Sequence, residues 1–239
     1  MNKENTLFAL VGLGFGLFLG FAFVVWANQQ AATPRVDAAA VEGTDGADGE
    51  SSITGAEGPQ FDSQIEAAVK AAREQPDDFN AQMQAASLSY EASRYDDVLE
   101  FLLRANELQP DNVETVVALG NANYDAGRYE AAEKWYTAAL TKRPNDVNVR
   151  TDLGLTFLLR APSDPARAIA EFRRSLERDP NHVPTLQNLV VALTRKGDKA
   201  EARATLSKLE KLNPENPALP QLRAGLDAEA SADTTKSGS

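Results

Sequence analysis

Between positions 113 and 144 the chain reads VETVVALGNANYDAGRYEAAEKWYTAALTKRP, and small or apolar residues return along it at helical intervals. Val116, Leu119 and Gly120 fall one turn apart on one face of a first helix. Ala132, Tyr136 and Ala139 do the same for a second helix over 129–141. The stretch Asp125-Ala126-Gly127-Arg128 separates the two, with Gly127 placed where a left-handed residue closes a helix. Pro144 then forbids further helix. Gly120 carries no side chain to hold a neighbouring helix away, so the two helices can pack closely. Such a hairpin buries only part of its apolar surface alone, which requires further copies stacked on either side.

Those copies are present. Prolines end helical stretches at Pro76, Pro110, Pro144, Pro180 and Pro214, at intervals of 34, 34, 36 and 34 residues, and each is followed by Asp, Asn or Glu. The residues Val116, Leu119, Gly120, Asn123, Ala132, Tyr136, Ala139 and Pro144 nearly follow the 34-residue pattern of the tetratricopeptide repeat (TPR). The chain therefore resembles a TPR protein. The resemblance implies an all-α TPR solenoid of helix-turn-helix repeats, with a capping helix at 61–75 and repeats at 79–110, 113–144, 147–180 and 183–214. A C-terminal helix at 218–228 covers the end of the stack, and the tail 229–239 is expected to be disordered. The first repeat is worn: Ala85 and Ala86 replace the Leu-Gly pair, Ser89 the usual tyrosine, and Ser93 the turn glycine. The third carries two extra residues in its turn, 160–165.

The start of the chain has a different pattern. After a short segment, 1–5, residues 6–27 form an apolar run of about 22 residues without a charge, enough at 1.5 Å per residue to span roughly 30 Å of hydrocarbon. This predicts a single transmembrane helix acting as a signal anchor, with Trp26 at headgroup level. The rival is a cleaved signal peptide, although the run exceeds the usual apolar length. Gly12, Gly16 and Gly20, spaced by four, offer a packing face for a second membrane helix, its own copy or a partner's. Residues 28–60 are rich in Ala, Gly, Thr, Ser and acids and predict a disordered linker of about 33 residues with a span of roughly 30 Å. Lys3 and Arg35 give almost no orientation bias. By likeness of layout to bacterial single-pass anchors, the expectation is an inner-membrane protein with its N-terminus in the cytoplasm and its repeats in the periplasm.

Composition narrows the chemistry. A formal net charge of -11 argues against nucleic acid as partner, since phosphate binding needs a basic footprint. The chain has no cysteine and a single histidine, His182, so a metal site would have to be built from carboxylates, and none follows a calcium-loop pattern. His182 reads as a linker residue between repeats. No phosphate loop, nucleophile elbow or triad-like set appears. Neither an enzyme nor a bound cofactor is expected.

In TPR proteins the first helices of successive repeats line a concave surface that takes peptides or partner helices. Carried over by position, the resemblance places Asn80, Met83, Ser87, Tyr90 and Glu91 there, followed by Glu114, Val117, Asn121, Tyr124 and Asp125. Asn148, Thr151, Leu155 and Leu158 come next, then Gln187, Val191, Thr194 and Arg195. This mixed lining suits a polypeptide with an apolar anchor near Leu155 and Leu158 and a basic residue near Glu91, Glu114 and Asp125. A groove that clamps chaperone carboxylates is disfavoured, because Met83 and Ser87 stand where such grooves have early Lys and Asn, and Asn148 and Asp152 stand where basic residues are expected later. The reading is a membrane-tethered adaptor for polypeptide partners during assembly of an envelope complex. Its layout resembles the periplasmic TPR parts of cytochrome c maturation proteins. The alternative is a structural scaffold that self-associates through the glycine face and repeat edges without a client.

Overall fold

The computed structural model describes residues 58–236, with side chains described through residue 227. Ten α-helices make up this region, and there is no strand among the described residues. The fold is an all-α, TPR-like solenoid. The predicted membrane segment at 6–27, with Gly12, Gly16 and Gly20, and most of the predicted 28–60 linker lie outside the described residues. Among the described residues, no helix is long and apolar enough to cross a membrane.

The helices are α1 (Pro59–Glu74), α2 (Phe79–Glu91), α3 (Tyr95–Leu108), α4 (Val113–Asp125) and α5 (Tyr129–Lys142). They continue with α6 (Val147–Leu159), α7 (Pro165–Arg178), α8 (Val183–Lys196), α9 (Lys199–Leu212) and α10 (Leu219–Lys236). Short polar residues start several of them. Asp78 accepts from the backbone N–H of Asn80 and Ala81, Asn112 from Thr115, Asp146 from Val149 and Asp164 from Arg167. Each supplies an acceptor for backbone donors that the first helical turn leaves without partners. Gly127 and Gly197 adopt the left-handed conformation after α4 and α8, at φ 72° and 87°, as the turn spacing predicts. Ser93 does the same at φ 56° without being glycine.

The chain divides into two compact units inside α3, after Phe101. In the first, α1 packs on α2 through Ile65, Ala68, Val69 and Ala72, and the buried Gln82 donates to the carbonyls of Ala72 and Gln75 that end α1. Arg73 pairs with Glu100 at 3.1 Å and lies over the Phe101 ring.

The second unit holds α4 to α10 around one continuous core that includes Val116, Ala132, Tyr136, Leu153, Phe157, Phe172, Leu189, Leu193 and Leu209. The two-residue insertion forms the turn between α6 and α7. Arg160 and Arg167 both reach Glu133 of α5, at 3.1 and 2.7 Å, and both guanidinium groups lie over Phe157. A lengthened turn is thereby fixed from outside while the helices it joins keep their register.

Two expectations are corrected here. The last helix does not stop near residue 228 but runs to Lys236, through most of the segment expected to be disordered. Between Leu226 and Lys236 the sequence has neither Gly nor Pro to end a helix, and three alanines to favour one. His182 is more than a linker: it occupies the N-cap position of α8, and its Nδ1 lies 2.7 Å from Thr185 Oγ1. Thr185 Oγ1 lies in turn 2.6 Å from Thr151 Oγ1, which donates to the Val147 carbonyl.

Candidate functional site

In the second unit the helices that open successive repeats, α4, α6 and α8, stand side by side. The Thr151–Thr185 contact joins α6 to α8 near one end, and Arg195 Nη1 donates to the Leu158 carbonyl at 2.6 Å near the other. On α4 and α6, Tyr124, Asp125 and Asp152 lie close enough for their charges to act on one another.

Along these three helices a row of side chains stays half-buried: Val117, Asn121, Tyr124 and Asp125 on α4; Leu155 on α6; Val191, Thr194 and Arg195 on α8. Val117, Tyr124, Leu155 and Val191 pack by one side against the core and keep the other toward solvent. Asn121, Leu155 and Val191 occupy the same position in successive repeats, one residue after Gly120, Gly154 and Val190. Asn121 Oδ1 accepts from the Tyr136 hydroxyl at 2.9 Å, so its amide nitrogen is held outward from that bond. Asn148 is exposed.

Three predicted lining residues are not on the open face. Thr151 is 3% exposed, its hydroxyl committed to Val147 and Thr185; Leu158 is 2% exposed and belongs to the core. Gln187 is 9% exposed and donates to Asn216 Oδ1 in the turn before α10. Thr151 is covered by the repeat that follows it and Gln187 by the turn before the last helix, neighbours that helical periodicity within one repeat does not reveal. Glu114 is only half-buried, but its carboxylate is taken by Arg143 of α5 and does not stand ready for a basic residue. The first unit carries Asn80 and Glu91 exposed and Met83, Ser87 and Tyr90 half-buried. There Tyr90 meets Tyr95 edge to face at 5.9 Å, and partial desolvation of its carboxyl raises Glu91 from its ordinary value.

The residue that position-by-position reasoning passed over is Asp152. It is half-buried on α6, and no described side chain hydrogen-bonds or ion-pairs with its carboxylate. Burial pushes its pKa up to about 7, with the charges of Asp146 and Asp125 acting in the same direction. Beside it, burial drives the Tyr124 phenol far upward, with Asp152 adding to the effect, so that hydroxyl remains a donor. Tyr124 also meets Tyr129 edge to face at 5.6 Å. A signal for Asp152 was available: in the flanking repeats the equivalent positions are Ala118 and Asn188, so the fold itself does not require an acid there. Among the described residues, no group of three or more His, Cys, Asp or Glu could hold a metal ion.

Comparison with solved structures gives the same architecture. MamA aligns with 21% identity and a TM-score of 0.58, covering 65% of this chain and 90% of its own. The 41-end form of MamA from Desulfovibrio magneticus RS-1 aligns with 17% identity and a TM-score of 0.59, covering 66% and 89%. YrrB, described as a TPR protein with an unusual peptide-binding site, aligns with 17% identity and a TM-score of 0.59, covering 69% and 84%. At these identities the likeness shows the fold. No curated protein sequence matches. A family model matches residues 88–224, more than half of the chain, from within α2 to within α10. This chain is thus a TPR protein, and it belongs to the family of the cilia and flagella-associated protein 70 middle TPR-like domain.

Proposed function

We propose that this protein is a non-catalytic, membrane-tethered adaptor that holds a polypeptide partner on the open face of α4, α6 and α8 during assembly of an envelope complex. The observation that carries the reading is the row Asn121, Leu155 and Val191, half-exposed at equivalent positions of three successive repeats. Beside it, Tyr124 and Asp152 have no hydrogen-bond partner among the described residues. A face with apolar strips, a fixed amide and an unused donor and acceptor suits an extended backbone better than it suits bulk water. The TPR-like fold is a protein-interaction fold, and YrrB, which shares it, is described with a peptide-binding site. The tether rests on the uncharged run at 6–27. Likeness of layout to bacterial single-pass anchors supports placing the N-terminus in the cytoplasm and the repeats in the periplasm of a bacterial inner-membrane protein.

The test is site-specific photo-crosslinking in intact cells. A photoreactive residue at Asn121 or Val191 should yield a discrete crosslinked polypeptide, whereas one at the exposed Lys134 of α5 should not. Equal yields from all three positions, or none from the first two, would refute the docking face. Protease accessibility in spheroplasts checks the orientation.

A further inference from the structure

We propose that the open face recognises its polypeptide through a lysine or arginine side chain seated on Asp152, with a neighbouring aliphatic residue of the same segment lying on Leu155. This rests on the docking face proposed above and names the chemistry of what it takes.

The basis is what this chain does with its other carboxylates. Beside the same helices the acids have cations: Glu114 pairs with Arg143, Glu133 with Arg160 and Arg167, and Glu171 with Arg150 and Arg174. Asp152 pairs with none of them. Arg195 of α8 donates to the Leu158 carbonyl. A half-buried carboxylate without a cation costs stability, and the repeats on either side avoid that cost with Ala118 and Asn188 at the equivalent positions. Its surroundings are also specific. Asp125 and Asp146 make the site more negative, while the Tyr124 hydroxyl supplies a donor beside it.

A cation arriving from outside offsets the negative charge gathered there. It neutralises the carboxylates, restores the negative form of Asp152 and leaves Tyr124 free to donate to a backbone carbonyl. Leu155 lies three residues on, one helical turn away on the same helix, with part of its surface still open. An extended segment places side chains on one side about 6–7 Å apart, so a basic residue and an aliphatic one at i and i+2 match this spacing. The formal charge of -11 on the whole chain favours a basic partner through long-range attraction as well.

The experiment uses the full chain in micelles of an uncharged detergent, applied at pH 8 to an array of random nonapeptides. The expected result is enrichment of Lys or Arg at one position with an aliphatic residue two places away. For an enriched lysine peptide, Asp152→Asn should weaken binding at least ~10-fold, while leaving binding of the same peptide with lysine replaced by norleucine within about 2-fold. Asp152→Lys should move the preference to acidic residues, and the near-isosteric Asp152→Asn keeps the test valid if that variant does not fold. Captured peptides without basic enrichment, or an enrichment that Asp152→Asn leaves intact, would overturn the cation site. If those peptides still lost binding on Leu155→Ser, the docking face would stand without it. Absence of any capture that depends on Leu155 would remove the docking face and this proposal together.

Discussion

The ring of Tyr136 occupies the space that a side chain on Gly120 would need. A Cβ at Gly120 would stand 2.5 Å from Cε1 of that ring and 2.6 Å from Cδ1. The bare backbone of α4 is what lets an aromatic from α5 lie across it, 1% exposed, with its hydroxyl reaching Asn121. The next repeat does the same with Gly154 and the ring of Phe172.

Gly120→Ala therefore forces the Tyr136 ring or the helix backbone to move, and we expect a loss of ~1–3 kcal/mol in urea unfolding. Gly154→Ala should behave alike. The double variant Gly120→Ala/Tyr136→Leu should lose less than the sum of its parts, because the shorter side chain gives the new methyl room. Strict additivity would show that the two residues do not compete for one space.

The three left-handed turns predict opposite effects at equivalent places. Ser93 holds φ 56° with a side chain, so Ser93→Gly should stabilise the protein or leave it unchanged, within ~1 kcal/mol. Gly197→Ala, at φ 87° and with open space around the added methyl, should destabilise by about 1 kcal/mol through backbone strain alone. Thermal unfolding of the two variants against the parent checks both signs.

Asp152 makes stability depend on pH in an unusual direction for a carboxylate. Its folded pKa of about 7 lies above the ordinary value near 4, so the folded state holds this proton more tightly than the unfolded chain does. Stability contributed by the group is complete below about pH 4, declines as pH rises toward 7, and is lost above it. Asp152→Asn should then be more stable than the parent at pH 8, by on the order of 2 kcal/mol, and nearly equal to it at pH 4. Burial sets this shift first, with the charges of Asp146 and Asp125 adding to it, so Asp125→Asn should reduce the difference. A gap between parent and variant that is the same at both pH values would reject the account.

The hydroxyl chain between α6 and α8 couples a histidine to two threonines. With the Thr151 hydroxyl donating to the Val147 carbonyl, Thr185 supplies the proton of the 2.6 Å contact. The His182 Nδ1 then carries the hydrogen in its 2.7 Å contact with Thr185. Nitrogen NMR should report the Nδ1–H form, and an Nε2–H ring would contradict the chain of donors. Thr185→Val removes the shared hydroxyl from a buried site and should cost about 1–2 kcal/mol.

How far the sequence reached can be judged from these same residues. Gly120, Ala132, Tyr136 and the prolines at 34-residue spacing already implied stacked helical hairpins, because backbone sterics and the 3.6-residue period act over one turn of chain. Gly127 marked its turn for the same local reason. Within a repeat, the half-exposed row through Asn121, Leu155 and Val191 was legible too.

What each repeat lays on the next was decided by the tertiary structure. Thr151, Leu158 and Gln187 read as lining residues until Thr185, the packed core and Asn216 cover them. Asp152 counted in the sequence only as an acid where a carboxylate clamp needs a base, until α4 brings Tyr124 and Asp125 beside it. Periodicity tells which side of a helix a residue occupies; whether that side meets water, an apolar neighbour or a like charge depends on residues about thirty positions away. For this protein the sequence determined the repeating hairpin, and packing between repeats decided which of its faces stays open and which carboxylate on it lacks a partner.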